Sequence, residues 1–248
     1  AAALRPHQAV LGAVSAHVNV HETGAVEATG HKVLTLETED GKITAKQIEQ
    51  TVRAHLEDSN REHTVQPKLV YISQPTELGT IYSLDELESI SETCRRYGLY
   101  LFVDGARLGY ALAARGNDVT LSDLARLTDV FYIGGTKVGA MFGEAVVISD
   151  PGLSEDFRYL IKQRGGMLAK GWLLGLQFEV LFEDALYWKI SRHADCMADK
   201  IRETLQALGC PLLVAGVTNQ VFPILSDRVL AELSKHFTFC EQERIDAQ

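Results

Sequence analysis

The chain has 248 residues, 46% of them hydrophobic and 23% charged, ordinary proportions for a globular protein that exclude intrinsic disorder and a collagen-like repeat. Thirty-three acidic against 24 basic residues leave a net charge of −9, which disfavours a nucleic-acid partner, and no apolar run approaches the ~18 residues of a membrane span. Four scattered cysteines, Cys94, Cys196, Cys210 and Cys240, form no Cys-x-x-Cys pair and fit reduced cytoplasmic thiols better than a disulfide framework or a zinc site.

In chain order, Ala1-Ala2-Ala3-Leu4 reads as the middle or end of a helix, and the close at 243–248 carries no stop signal. A piece of a longer polypeptide is therefore expected. Residues 10–14 and 32–36 are short apolar runs expected to be strands. Asp40-Gly41 marks a turn, and Ile48, Val52 and Leu56 at a spacing of four predict a helix from Thr44. A charged loop over 57–63 precedes a strand at 68–73. Ser83 and Glu86 spell a capping box for a helix that ends at Tyr97-Gly98. Residues 99–104 form an apolar run ending on a carboxylate. A short helix at 121–127 and strands at 130–135 and 145–148 follow. Helical patterns cover 154–186 and 190–208. The stretch 211–243 mixes strand-like runs (212–214, 221–224) with a helical one (227–236).

Strands that alternate with helices, several of them apolar on both faces, predict an α/β fold with a mostly parallel sheet covered by helices. The expected division is a large domain over 1–188 and part of a smaller α+β domain over 189–248.

In an open α/β sheet, ligands gather at the carboxyl ends of the strands. His17 follows the first strand, and Asp104 closes the 99–104 strand with Arg107 three residues on. Lys137 lies in Gly134-Gly135-Thr136-Lys137-Val138-Gly139 after the 130–135 strand. Lys137 is either a surface lysine between glycines or a Schiff-base amine, made nucleophilic by partial desolvation. The Walker A spacing is absent. Asp104 is either a helix cap or a buried carboxylate facing a cationic heterocycle, such as the pyridine nitrogen of pyridoxal phosphate. Arg107 either pairs with Asp104 or steadies the phenolate oxygen of that ring. His17 is either structural or stacked on the ring. No metal is expected. What is specific is the order: a ring stacker, then Asp-x-x-Arg at a strand end, then a lysine at the next strand end.

Ser15-Ala16-His17-Val18-Asn19-Val20-His21-Glu22-Thr23-Gly24, Val103-Asp104-Gly105-Ala106-Arg107-Leu108 and Gly134-Gly135-Thr136-Lys137 resemble the threonine aldolase and aromatic amino acid β-eliminating lyase family. Its members are fold type I enzymes that depend on pyridoxal 5'-phosphate, and the resemblance runs through almost the whole chain. It implies that Lys137 bonds the cofactor and His17 stacks on its ring. It also implies that Asp104 faces the pyridine nitrogen, Arg107 lies near the ring oxygen and Thr136 touches the phosphate. Family members are longer at both ends, so the phosphate-binding turn and the arginine for the substrate carboxylate are expected outside this chain.

Two departures from the family stand out. A second histidine found in many threonine aldolases is replaced by Gln74-Pro75-Thr76-Glu77, which leaves open the group that acts on the substrate hydroxyl. The arginine after Gly-Gly-Met in some members is Leu168 here, with Lys170 near. The implied activity is a carbon–carbon lyase that cleaves a 3-hydroxy amino acid of the L-threonine, allo-threonine or phenylserine type to glycine and an aldehyde. A β-eliminating lyase, another fold type I enzyme such as an aminotransferase, and a non-enzymatic α/β binding protein remain as alternatives. The resemblance further implies a homodimer or homotetramer. Part of the apolar stretch Trp172, Leu173, Leu174, Leu176 and Phe178 is expected to be buried between two-fold-related subunits.

Overall fold

β1 (Gln8–Ala13) is buried at every residue and leads into α1 (His17–Val20), a single helical turn. The structure is a computed structural model that describes residues 3–240; the expectations for Ala1-Ala2 and for 243–248 lie outside the described residues. β2 (Val33–Leu36) follows. α2 (Ala45–Glu57) starts at a Thr44/Gln47 capping box and turns Ile48 and Val52 into the core. β3 (Gln66–Ser73) is buried from Val70 to Ser73, so both faces of the sheet are covered there. α3 (Leu84–Tyr97) opens on the Ser83/Glu86 capping box. It closes on Gly98 at φ 62°, a left-handed conformation that suits glycine. β4 (Tyr100–Asp104), α4 (Leu108–Ala113), α5 (Leu121–Leu127), β5 (Val130–Gly134) and β6 (Glu144–Ile148) complete the sheet region.

The strand order is β2-β1-β3-β4-β5-β6. Every pairing is parallel except β5 with β6, which is antiparallel. The register sets Ser73 opposite Asp104 and Gly134 opposite Glu144, so polar strand ends meet side by side. Among the helices, α2 touches α3, and α3 touches α5. Leu11, Ile48, Leu87, Leu101, Leu108, Leu124 and Phe131 are almost wholly buried, each worth about 1.5–3 kcal/mol relative to exposure.

The second half departs from the expected pattern. The helix expected over 154–186 is broken into α6 (Pro151–Ser154), α7 (Phe157–Gln163) and α8 (Trp172–Phe182). Gly165, at φ 75°, Gly166 and Gly171 lie in the gap before α8, where glycine weakens helix continuity. α9 (Leu186–Ala207) packs on α4 and α8. The runs at 212–214 and 221–224 form one isolated bridge, Leu212 to Pro223, rather than two strands; Pro223 has no N–H to extend a ladder. α10 (Asp227–Leu233) follows.

At the ends of β4 and β5 the backbones nearly touch. The Gly134 N–H donates to the Gly105 carbonyl at 2.8 Å. A Cβ on Gly105 would lie 1.8 Å from the Tyr132 oxygen, and one on Gly134 would lie 2.2 Å from the Ala106 oxygen.

Candidate active site

The carboxyl ends of β1, β3, β4 and β5 open into one cleft of about 490 Å³, within the usual range for a small-molecule site. His17, Asp104, Arg107, Thr136 and Lys137 all line it. Five residues spread over more than half the described chain thus converge.

Asp104 is buried at the end of β4. The Tyr71 hydroxyl donates to its Oδ2 and the Tyr132 hydroxyl to its Oδ1; the Ala106 N–H also reaches Oδ1, at 2.9 Å. Tyr71 comes from β3 and Tyr132 from β5, on either side of Asp104. Their phenol groups are pushed far above the ordinary range, first by burial and then by the Asp104 charge, so both stay protonated donors. Arg107 lies at the mouth of α4.

Lys137 follows β5 on a turn held by Glu144 of β6. The Gly135 N–H donates to one Glu144 oxygen at 2.5 Å and the Thr136 hydroxyl to the other at 2.9 Å. The Tyr110 hydroxyl of α4 donates to the Lys137 carbonyl. Desolvation lowers the pKa of the Lys137 amine, and the neighbouring Arg107 charge lowers it further; Asp104 and Glu144 act in the opposite direction. A larger fraction of this amine is therefore neutral at a given pH than for a free lysine.

His17 opens α1. Its imidazole Nδ1 lies 2.6 Å from Glu22, and its backbone N–H donates to Glu77 Oε1 at 2.9 Å. Glu77 sits on the loop after β3, which is clasped firmly. The buried Gln74 side chain accepts from the Tyr82 N–H and donates to the Tyr82 carbonyl, and the Gln74 N–H donates to the Asp104 carbonyl.

Tyr71, Tyr132, Glu144 and Glu77 escaped the sequence reading as site residues. A carboxylate at a strand end, with a tyrosine two residues before the end of each flanking strand, is the signal that points to Tyr71 and Tyr132. Trp172 is 64% and Leu176 48% exposed, whereas Leu174 packs over Gly143 and Phe178 against the core. The apolar stretch is thus split between an inward and an outward face.

A partly desolvated lysine amine and a buried carboxylate on facing strand ends, with an imidazole at the rim, suit pyridoxal phosphate. Such an amine is suited to bond an aldehyde, and such a carboxylate to face a protonated ring nitrogen. The fold is that of the fold type I enzymes. Aspartate aminotransferase of Thermus thermophilus superposes with a TM-score of 0.68 at 17% identity over 88% of this chain and 55% of its own, a likeness of fold alone. The threonine aldolase of Leishmania major superposes with a TM-score of 0.94 at 50% identity, covering 98% of this chain and 70% of that one.

In sequence, the pattern of the beta-eliminating lyase family matches residues 1–227, and the chain belongs to that family. It is 34% identical over 239 residues to the low specificity L-threonine aldolase of Pseudomonas aeruginosa, covering 95% of this chain and 65% of that protein. It is 26% identical over 223 residues to the low specificity L-threonine aldolase of Saccharomyces cerevisiae, covering 88% and 55%. The chain spans about two thirds or less of the length of these curated relatives. Members of the family depend on pyridoxal phosphate.

Proposed function

We propose that this chain carries the active site of a pyridoxal phosphate-dependent lyase. Its reaction is cleavage of a 3-hydroxy amino acid, of the L-threonine, allo-threonine or phenylserine type, to glycine and an aldehyde. The observation that carries this reading is the meeting of Lys137 and Asp104, with Arg107 and His17, in one cleft. The likeness to threonine aldolases in sequence and in structure supports the choice of reaction.

When bound, the cofactor supplies an electron-withdrawing ring that delocalises negative charge at the amino acid Cα. Lys137 would hold the cofactor through its partly desolvated amine. Asp104, fixed from both sides by Tyr71 and Tyr132, would hold a proton at the ring nitrogen. Arg107 would serve the ring oxygen, and the His17 imidazole would cover one face of the ring. Thr136 would serve the phosphate; in this structure its hydroxyl donates to Glu144. In the same reading, residues 1–188 form the cofactor-binding domain and 189–248 part of a smaller one.

Among the described residues no helix is long and apolar enough to cross a membrane, and all four cysteines are free. These support action in the cytoplasm. The outward row Trp172, Leu173 and Leu176 supports a homodimer, or a tetramer of paired dimers.

The family pattern also favours a second reading, β-elimination, in which Cα loses its proton and a group leaves Cβ. The test is product analysis on the intact protein loaded with pyridoxal phosphate. Aldol cleavage gives glycine with acetaldehyde from L-threonine, or with benzaldehyde from phenylserine. Elimination gives ammonia and a 2-oxo acid. Lys137→Ala abolishes either. Absence of both products in the wild type defeats the reading.

A further inference from the structure

We propose that Glu77 is the catalytic base that takes the proton from the side-chain hydroxyl of the amino acid substrate. This rests on the aldol-cleavage reading above and assigns the step that reading leaves without a residue.

The cleft offers few groups free for that task. Both Glu144 oxygens accept from Gly135 and Thr136. Both Asp104 oxygens accept from tyrosine hydroxyls. Glu22 is exposed and paired with the His17 ring, and that ring is committed to the cofactor. Lys137 and Arg107 are committed to the cofactor as well. Glu77 is different. The donors that reach it from other residues, the Ser73 hydroxyl at 2.6 Å and the His17 N–H at 2.9 Å, both go to Oε1. The Glu77 N–H also bonds its own carboxylate, but among the described residues no donor from another residue goes to Oε2, which can take a ligand in the cleft that Glu77 lines. The clasp of Gln74 on Tyr82 and the Thr76–Thr80 hydrogen bonds fix the loop, so the carboxylate is held before substrate arrives. Burial raises its pKa above the ordinary glutamate value, with the Ser73 and His17 bonds opposing in part. A carboxylate so raised is a stronger base, closer to neutral pH.

The step balances without a further reactant. Glu77 Oε2 accepts the hydroxyl proton, and the O–H electron pair becomes the second carbon–oxygen bond of the aldehyde. The Cα–Cβ bond breaks with its pair left on Cα. One proton is then delivered to Cα, which completes glycine. The two products together contain every atom of the substrate.

Glu77→Gln tests this in the holoenzyme. Glutamine keeps an oxygen for the His17 N–H and the Ser73 hydroxyl but removes the base. The kcat for aldehyde release from L-threonine should fall at least about a hundredfold. Cofactor binding, read by visible absorbance, should hold. So should exchange of the glycine Cα proton with deuterated water, which needs no hydroxyl base, to within a few-fold. In the wild type, kcat/KM for cleavage should fall as pH drops through the raised Glu77 pKa, a limb absent from glycine exchange. In the cofactor-free protein, a difference infrared titration of wild type minus Glu77→Gln should show a carboxyl titrating above the ordinary glutamate range.

Cleavage by Glu77→Gln at the wild-type rate overturns the proposal. So does an equal loss of cleavage and exchange, which marks a merely structural acceptor for α1. If the glutamine variant does not fold, the two wild-type pH profiles decide, and one shared profile overturns the assignment. A wild type that exchanges glycine but releases no aldehyde from any 3-hydroxy amino acid fails the aldol reading itself and takes this proposal with it.

Discussion

The Tyr71 hydroxyl of β3 donates to the Asp104 carboxylate across one parallel strand pairing. Tyr132 does the same from β5, and the Phe102 ring lies between the two tyrosines, stacked on Tyr71 at 5.4 Å. Three aromatic rings thus run in a row across β3, β4 and β5, and the outer two hold one charge in the cleft.

Removing the charge and removing its supports should differ in degree. Asp104→Asn keeps the shape, so cofactor binds while turnover falls about a hundredfold or more, the ~3 kcal/mol of a preorganised electrostatic contact. Tyr71→Phe and Tyr132→Phe each delete one hydrogen bond to a charged group, about 1.5–3 kcal/mol. Asp104 keeps its charge and its remaining donors in either variant, so only part of that loss falls on the rate, and each should lower turnover by roughly tenfold. Parallel measurement of aldehyde release and cofactor absorbance checks both. An Asp104→Asn variant with near-normal turnover would dissociate Asp104 from the ring nitrogen.

Lys137 should react as an amine at lower pH than an ordinary lysine. Its pKa is lowered by desolvation and then by Arg107, so the neutral, reactive form is gained earlier as pH rises. Arg107→Gln removes one of the two depressing influences. The half-point of Lys137 reductive methylation, followed by mass spectrometry in the cofactor-free protein, should therefore move to higher pH in that variant. An unmoved half-point means Arg107 does not sense the amine.

Asp195 predicts a pH-dependent stability. It is buried in α9, and burial followed by the Asp199 charge pushes its carboxyl up from 3.8 to about 7, with Arg202 opposing. From about pH 4 to 7 the unfolded chain has lost a proton that the folded chain keeps, so stability falls as pH rises, and above 7 the full cost is present. Asp195→Asn should raise stability by roughly 2 kcal/mol at pH 8 and leave it near the wild-type value at pH 4. Thermal melts at the two pH values measure this; equal shifts at both would point to packing instead.

The outward face of α8 should mediate assembly. Leu176→Glu places a charge in the row it shares with Trp172 and Leu173, and charges are depleted at the centres of such interfaces. Light scattering of the intact protein should show a dimer or tetramer for the wild type and a smaller species for the variant. A wild-type monomer ends this expectation.

The residues legible in the sequence were those whose meaning is local. Ser83 with Glu86, and the apolar run into Asp104, act through neighbours in the chain, and both elements form where the pattern put them. His17, Arg107 and Lys137 were legible because strand ends in such a sheet share an edge. Tyr71 and Tyr132 were not, because their partnership with Asp104 depends on register between strands distant in sequence. Glu77 looked like a mere replacement until the Gln74 clasp fixed its place. α8 is apolar on nearly every side, so no periodicity told Leu174, packed over Gly143, from Trp172, left exposed.

The backbone contact between Gly105 and Gly134 makes the gap between carboxylate and amine a fixed ruler. No side chain fits at either point, so the span cannot be widened by one substitution without parting β4 from β5. The loops bearing His17 and Glu77 are tied to each other by the His17 N–H bond to Glu77, while the rim positions beyond these residues are free of that limit. Preference for one amino acid over another can therefore drift through the rim while the separation of Asp104 and Lys137 stays constant, so that relatives of this chain can trade substrates without rebuilding the place where bonds are broken.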